Sequence, residues 1–387
     1  MKYFSYLNSA TEIIKLYKAQ QPFHLFIKDF FRQNKKYGSS DRKQITHLCY
    51  CYYRLGASMK NIPVNEKILA ALFLCSHQNN EMLAHLQPGW NEKINLPVKE
   101  KCILINTPYE ELNIFPVSTE ISDDINKDEF IISHLVQPDV FLRIRPGYYQ
   151  TVINKLNKKH IRFTEVSENC ISVSGATKAD AVIAINKEAV IQDYSSQRIG
   201  PFLKIVKAES SPLKIWDCCA ASGGKSILAK DILGNIDLTV SDIRASVIIN
   251  LKKRFEEAGI HNYKTLITDI ASAPVNLKPG SFQLIIADVP CTGSGTWGRT
   301  PERLSFFDEK EIEKYEHLQK KITTAVMPFL KNGGYFLYIT CSVFKKENED
   351  MAAFIQKKFS VNLLKMETLK GYNANADTMF AVLFEKY

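Results

Sequence analysis

The chain has 387 residues, 45% hydrophobic and 24% charged, and 50 Lys and Arg against 41 Asp and Glu give it a formal net charge of +9. That length exceeds one ordinary core and calls for two or three domains, and the basic excess favours an anionic partner without specifying it. Nine cysteines, an odd number with no repeating spacing and no C-x-x-C, argue against a disulfide framework and offer no closed zinc site.

The opening "MKYFSYLNSATEIIKLY" lacks the continuous apolar segment of a signal peptide, and no later run is long enough to span a bilayer. A reduced, cytoplasmic, metal-free monomer is expected. From Tyr6 to about Gln87 apolar residues fall at helical intervals: Ile13, Ile14 and Tyr17, then Phe23, Phe26 and Ile27, then Ile45, Leu48 and Tyr52. In "YGSSDRKQITHLCYCYYRLG" Ser40 or Asp41 can cap a helix beginning near Arg42, with Cys49 and Cys51 as packing residues. The Lys and Arg of this stretch read either as an RNA-contacting surface or as a solvated helix face.

Residues 88–125, rich in Pro, Asn and Glu, read as a connector with short helices. "FLRIRPGYYQTVINKLNKKHIRFTEVSENCISV" then alternates strand, helix and strand. Arg143, Arg145, Lys155, Lys158, Lys159 and Arg162 outnumber Glu165 and Glu168, so a small α+β module with a basic face is expected. From about Gln192 strands alternate with helices. Strands are predicted at Lys214–Asp217, Leu238–Ser241, Thr265–Thr268, Phe282–Ala287 and Tyr335–Thr340, and helices from Lys225, Ala245 and Glu309. This is the pattern of an α/β, doubly wound, mostly parallel sheet, which binds ligands beyond the carboxyl ends of its strands.

"KIWDCCAASGGKSILAK" is strand, small-residue loop and helix, where Cys219, Ala220, Ala221, Ser222, Gly223, Gly224 and Lys225 let backbone and helix N-terminus approach a ligand. It fits neither the P-loop nor G-x-G-x-x-G, so a nucleotide-like ligand other than a triphosphate is expected. The following strands end in Asp242, placed for a ribose diol, and Asp269, placed for a purine amine; with Asp217 three consecutive strands end in an acid. Taken singly, each is equally an N-cap or turn residue. Loop and ribose acid together suit S-adenosylmethionine. "FQLIIADVPC" and "YFLYITCS" each end in a cysteine, and if their strands are neighbours Cys291 and Cys341 face one cleft.

"DCCAASGGKS", "DVPCTGSG" and "TCSVFKKENED", in that order, resemble the RNA 5-methylcytosine methyltransferases of the Sun/Fmu and nucleolar Nop type. More weakly, "GSSDRKQITHLCYCYYR" and "IQDYSSQ" are similar to the NusB-like domain and the catalytic lead-in of the family's bacterial ribosomal RNA members. The resemblance implies three domains: a helical NusB-like RNA-binding domain and connector at 1–125, the α+β module at 126–190, and at 191–387 a Rossmann-like class I S-adenosylmethionine-dependent methyltransferase domain. No room is expected for a C-terminal RNA-binding domain after "TMFAVLFEKY".

It also implies the roles. Carbon 5 of cytosine is a poor nucleophile until a thiolate adds at carbon 6, and the carbon-5 proton must leave afterwards. By resemblance Cys341 attacks, Cys291 assists release, Asp288 meets nitrogen 3, and Lys225 orients the acids. The substrate implied is flexible or single-stranded RNA, from ribosomal RNA. Three departures touch this pattern: Ser222 in place of proline, Gly298 in place of a basic residue beside Arg299, and Lys345 and Lys346 in place of Pro-Glu. The competing readings are a transfer RNA methyltransferase, an enzyme methylating amines, and an inactive RNA-binding or assembly protein of the same fold.

Overall fold

A computed structural model describes residues 2–175, 177–207, 211–273 and 276–387. The chain divides into two units: residues 1–119, 126–137 and 297–309 form one, and 120–125, 138–296 and 310–387 the other.

The first unit is helical, built on α1 (Lys2–Leu16), α2 (Phe23–Gln33), α3 (Ser39–Arg54) and α4 (Val64–Cys75). Pro22, with its fixed φ, starts α2. The helix α3 begins at Ser39, three residues before Arg42. Asp41 therefore sits inside the first turn, where its carboxylate accepts from the Gly38 N–H (3.0 Å) and from Tyr6 Oη (2.5 Å). Ile13, Ile14, Tyr17, Phe23, Ile27, Ile45 and Leu48 are buried as their spacing predicts, and so are Cys49 and Cys51. Residues 297–309 complete this core: Trp297 stacks on Phe115 at 5.1 Å, and Glu302 Oε1 accepts from the Phe23 N–H.

In the second unit, β1 (Val140–Ile144), β2 (Thr164–Ser167), β3 (Cys170–Val173) and β4 (Ala189–Ile191) form an antiparallel sheet in the order β2-β3-β1-β4, covered by the helix Tyr149–Lys158. The expected basic face is corrected for three of its six residues, Arg143, Arg145 and Lys155, while Lys158, Lys159 and Arg162 are exposed. Arg143 is buried and donates to Asp231 Oδ2 (2.6 Å) and Gln192 Oε1 (2.7 Å). Arg145 meets both oxygens of Asp231 and also donates to the carbonyls of Asn186 and Ala258. Lys155 pairs with Glu188 at 2.6 Å. Asp231 lies on the helix Gly224–Leu233, so the two arginines fasten the module to the large sheet as buried, charge-assisted forks.

That sheet has seven strands: β5 (Leu213–Asp217), β6 (Ile236–Asp242), β7 (Tyr263–Ile267), β8 (Phe282–Asp288), β9 (Leu330–Thr340), β10 (Val361–Leu369) and β11 (Met379–Lys386), in the order β10-β11-β9-β8-β5-β6-β7. From β9 to β7 neighbours are parallel, while β11 pairs antiparallel with β9 and β10. Strand side chains alternate between faces. Ile215, Leu284, Ile286, Leu337 and Ile339 pack with Ile227, Leu251 and Phe255 of two helices on one face. Trp216, Ile285, Ala287, Phe336 and Tyr338 pack with Ile322, Val326, Met351 and Ile355 on the other. Burial on both faces explains why β8 reads as a nearly unbroken apolar run. The chain winds outward from β5 through β6 to β7, then returns to the other side of β5 with β8. The carboxyl ends of β5 and β8 therefore flank a switch point. Among the described residues, no helix is long and apolar enough to cross a membrane.

Candidate active site

At that switch point lies a cavity of about 610 Å³, within the usual range for small-molecule sites. Its wall takes Cys218, Cys219 and Ala221 from the loop after β5, Asp242, Ile243 and Arg244 after β6, and Thr268, Asp269, Ile270 and Ala271 after β7. Asp288, Val289, Pro290 and Cys291 follow β8, Cys341 follows β9, and Leu318 and Ile322 come from the helix Lys310–Val326.

The loop after β5 is held in an unusual backbone shape. Ala221 has φ +44° and Gly223 φ +80°. A Cβ on Gly223 would stand 2.6 Å from Phe255 Cε1, so that position needs glycine for close packing as well as for its backbone. Of the seven loop residues expected to hold a cofactor, Cys219 and Ala221 line the cavity, whereas Ala220, Ser222, Gly223, Gly224 and Lys225 lie outside its wall. Ser222 is exposed, and both its carbonyl (2.9 Å) and its hydroxyl (2.6 Å) accept from Arg254 Nη1. Arg254 also donates to Asn186. The serine thus gains a tether to the helix Ala245–Glu257, where proline would stiffen the loop through its ring.

Asp242 is nearly buried at the cavity wall. Its carboxylate accepts from the backbone N–H groups of Arg244 (2.9 Å) and Ala221 (3.2 Å) and from the Arg244 guanidinium (3.0 Å). Burial opposes ionisation, but these partners outweigh it and hold the carboxyl below its usual range, leaving a charged acceptor. Asp269 Oδ1 accepts from the Ala271 N–H at 3.0 Å.

Asp217 differs from the other two acids. It is fully buried, it lies outside the cavity wall, and its Oδ2 accepts from Ser226 Oγ at 2.6 Å. Burial, reinforced by Asp288 and Asp242 and opposed by Ser226 and Lys225, raises its pKa from 3.8 to about 7. A raised carboxyl favours folding fully below its unfolded pKa and loses that advantage as pH rises to the folded value. Between pH 4 and pH 7 this group should therefore forfeit about 4 kcal/mol of stability. Chemical denaturation of the parent and of Asp217→Asn across this range checks the sign: the unfolding free energy of the parent should fall relative to that of the variant as pH rises. A gap independent of pH would contradict the raised carboxyl.

Lys225, at the start of the helix Gly224–Leu233, reaches across to Asp288 at the end of β8, with Nζ 2.5 Å from Oδ2. Burial acts to lower the lysine pKa, but the charge and hydrogen bond of Asp288 override it and raise the pKa, with Cys341 and Asp217 adding to the effect. The two cysteine-bearing strands are neighbours, with Asp288 paired to Ile339. This register brings Cys291 Sγ to 3.2 Å from Cys341 Sγ, both thiols partly buried at the cavity wall. Contact with Cys341, then burial, then the charge of Glu347 push the Cys291 thiol well above the ordinary thiol range. A thiol held protonated beside a second sulfur can donate to a thiolate there.

Of the departures from the motif pattern, Lys345 and Lys346 are surface residues that pair with Asp123 (2.7 Å) and Glu313 (3.4 Å). Gly298 and Arg299 fall in the segment 297–309 of the helical unit. Sequence reasoning missed Arg244, which binds the carboxylate of Asp242, and Glu347, which is fully buried and hydrogen-bonded to Thr292 and Ser342, the residues that follow the two cysteines. Glu347 stands inside "KKENED", but a charged residue in a polar run reads as solvated; a fold was needed to bury it.

Residues 203–384 match the family model described as 16S rRNA methyltransferase RsmB/F. The ribosomal RNA small subunit methyltransferase B of Photorhabdus laumondii is 28% identical over 269 residues, covering 61% of each chain. A 28S rRNA (cytosine-C(5))-methyltransferase of Mus musculus is 27% identical over 201 residues, covering 50% of this chain and 25% of the mouse protein. The chain thus spans less than two thirds of the length of either relative. The solved structure of PH0851 superposes over 98% of both chains with a TM-score of 0.72 at 18% identity, a likeness of fold.

Proposed function

We propose that this chain, whose residues 203–384 match the RsmB/F methyltransferase family model, transfers a methyl group from S-adenosylmethionine to carbon 5 of a cytosine in ribosomal RNA. The observation that carries this reading is the pair of thiols 3.2 Å apart, on adjacent strand ends at the wall of the cavity. One thiol suffices for a nucleophile; two in contact suit a reaction that must both attach a base and release it.

The cavity fits the cofactor. The ionised Asp242 suits a ribose diol, Asp269 suits the amine of a purine, and Ile243, Ile270, Leu318 and Ile322 offer apolar surface for its ring. Lys225 is committed to Asp288, Arg254 to Ser222 and Asn186, and Arg244 to Asp242, which argues against a phosphate ligand there. When bound, S-adenosylmethionine supplies an electrophilic methyl group.

The chain's own residues do the rest. Cys341 Sγ adds to carbon 6 of the base and makes carbon 5 nucleophilic. Asp288, one oxygen of which is held by Lys225, is placed beside Cys291 to meet the base near nitrogen 3, where charge develops. After methyl transfer Cys291 hands its thiol proton to the departing Cys341 sulfur and takes up the carbon-5 proton in its place, as the carbon–sulfur bond to Cys341 breaks and the carbon 5–carbon 6 double bond re-forms. The helical residues 1–125 hold the RNA backbone through lysines and arginines, with a steep salt dependence. The protein works as a monomer in the cytoplasm, where its thiols stay reduced.

Incubation with labelled S-adenosylmethionine and ribosomal RNA, followed by nucleoside analysis, should yield 5-methylcytosine. Label in an amine-methylated nucleoside would sink the proposal, as would no methylated cytosine in any RNA. Label confined to transfer RNA would overturn the choice of substrate alone.

A further inference from the structure

Cys291 and Cys341 stand on separate loops, joined to each other by no covalent link, yet their sulfurs touch. The neighbours of both cysteines converge on one carboxylate. Glu347 Oε1 accepts from the Thr292 N–H at 2.9 Å and from Gln319 Nε2 at 2.9 Å. Its Oε2 accepts from Thr292 Oγ1 and from Ser342 Oγ, each at 2.5 Å. Gln319 Nε2 also donates to the carbonyl of Pro290 at 3.0 Å, so Cys291 is flanked on both sides by residues tied to this network. On the other loop Asn348, next to Glu347, accepts from Thr340 Oγ1 at 2.6 Å and donates to the carbonyl of Ser342 at 3.0 Å. Cys341 is therefore flanked in the same way.

Glu347 is 0% exposed, and among the described residues its carboxylate is met by the neutral donors Thr292, Gln319 and Ser342. A carboxylate in that position is expensive to bury, and well-packed apolar side chains would serve a purely structural role as well. What an apolar side chain lacks is direction: four hydrogen bonds to two oxygens specify where both loops stand.

We propose that Glu347 is a positioning residue that holds Cys291 and Cys341 in register for the reaction, acting through Thr292 and Ser342 without touching substrate. The inference rests on the reading of these cysteines as the reacting pair. Glu347→Gln keeps the volume but removes the charge and one acceptor oxygen, so that an amide donor faces either the two N–H groups at Oε1 or the two hydroxyls at Oε2 and the set of four accepted hydrogen bonds is broken. Loosening the pair by about an ångström is expected to lower kcat on the order of 100-fold while KM for RNA stays near the parental value.

The test has two arms on the full chain. In the first, dibromobimane, which fluoresces when it bridges two nearby thiols, is added without RNA or cofactor, and the Cys291–Cys341 bridge is located by peptide mass. In the second, kcat and KM are measured with ribosomal RNA. Slower bridging in Glu347→Gln together with a loss confined to kcat supports the inference. Thr292→Val, which removes a single donor to the carboxylate, should move both readouts the same way by a smaller amount and replaces Glu347→Gln if that variant does not fold. Parental bridging in a folded variant overturns the inference, even if its melting temperature falls, because a merely structural carboxylate behaves that way. If the parent methylates no cytosine, the proposed function fails, and the bridging arm still decides whether Glu347 sets the thiol pair.

Discussion

Cys341→Ala is expected to abolish both methyl transfer and attachment to RNA, lowering turnover by on the order of 10⁴-fold or more, the scale on which an enzyme loses its nucleophile. Carbon 5 of cytosine carries too little electron density to take a methyl group unaided, and no other sulfur replaces Cys341 at the end of β9. Cys291 lies 3.2 Å away, but its thiol is pushed up by Cys341, by burial and by Glu347 and so resists becoming the attacking thiolate. RNA affinity should survive, because alanine removes one partly buried sulfur from the cavity wall and none of the basic residues proposed to grip the backbone. Filter binding beside a labelled methyl-transfer assay separates the two effects. Parental turnover in this variant would remove Cys341 from the mechanism.

The second large effect is of the opposite kind. Cys291→Ala should still add Cys341 to the base and transfer one methyl group, then stall with RNA bound to the protein through carbon 6. The methylated adduct has lost the group that receives the carbon-5 proton, and until that proton leaves the carbon–sulfur bond cannot break. A protein–RNA complex stable to denaturing electrophoresis should accumulate toward one RNA per protein, with multiple turnover lost. The asymmetry between the variants is the sharp part. If Cys341→Ala formed the trapped complex and Cys291→Ala formed none, the two roles would be exchanged.

Much of the catalytic fold is legible in the sequence because its signals are local. The ends of β5, β6, β7, β8 and β9 fall within a few residues of their expected positions, since apolar runs broken by Asp, Gly and Pro mark strand ends by themselves. The strands β10 and β11 were not anticipated. Val361–Leu369 lies at the sheet edge and alternates exposed and half-buried residues rather than forming an apolar run, and Met379–Lys386 pairs antiparallel with β9 and follows β10 with no α-helix between, so it breaks the strand–helix alternation that reveals the parallel part.

Charge is read less well than strand pattern, because the sign of a side chain does not say what faces it. Arg143 and Arg145 look like members of a basic surface until Asp231, 88 and 86 residues away, is brought against them. Asp217, Asp242 and Asp269 look equivalent at three strand ends, yet Asp217 is buried out of the cavity while Asp242 is held ionised at its wall.

By itself the sequence determined the α/β class, the small-residue loop after β5, and the two cysteines at strand ends, all properties of short stretches whose periodicity and residue size are set by neighbours in the chain. Only the tertiary structure decided that β8 and β9 lie side by side, that residues 50 apart in the chain place their sulfurs 3.2 Å from each other, and that Glu347 is buried against the residues that follow them. Strand order and burial come from the packing of distant segments, and a side chain's chemistry depends on what that packing removes from water and what it leaves as a partner.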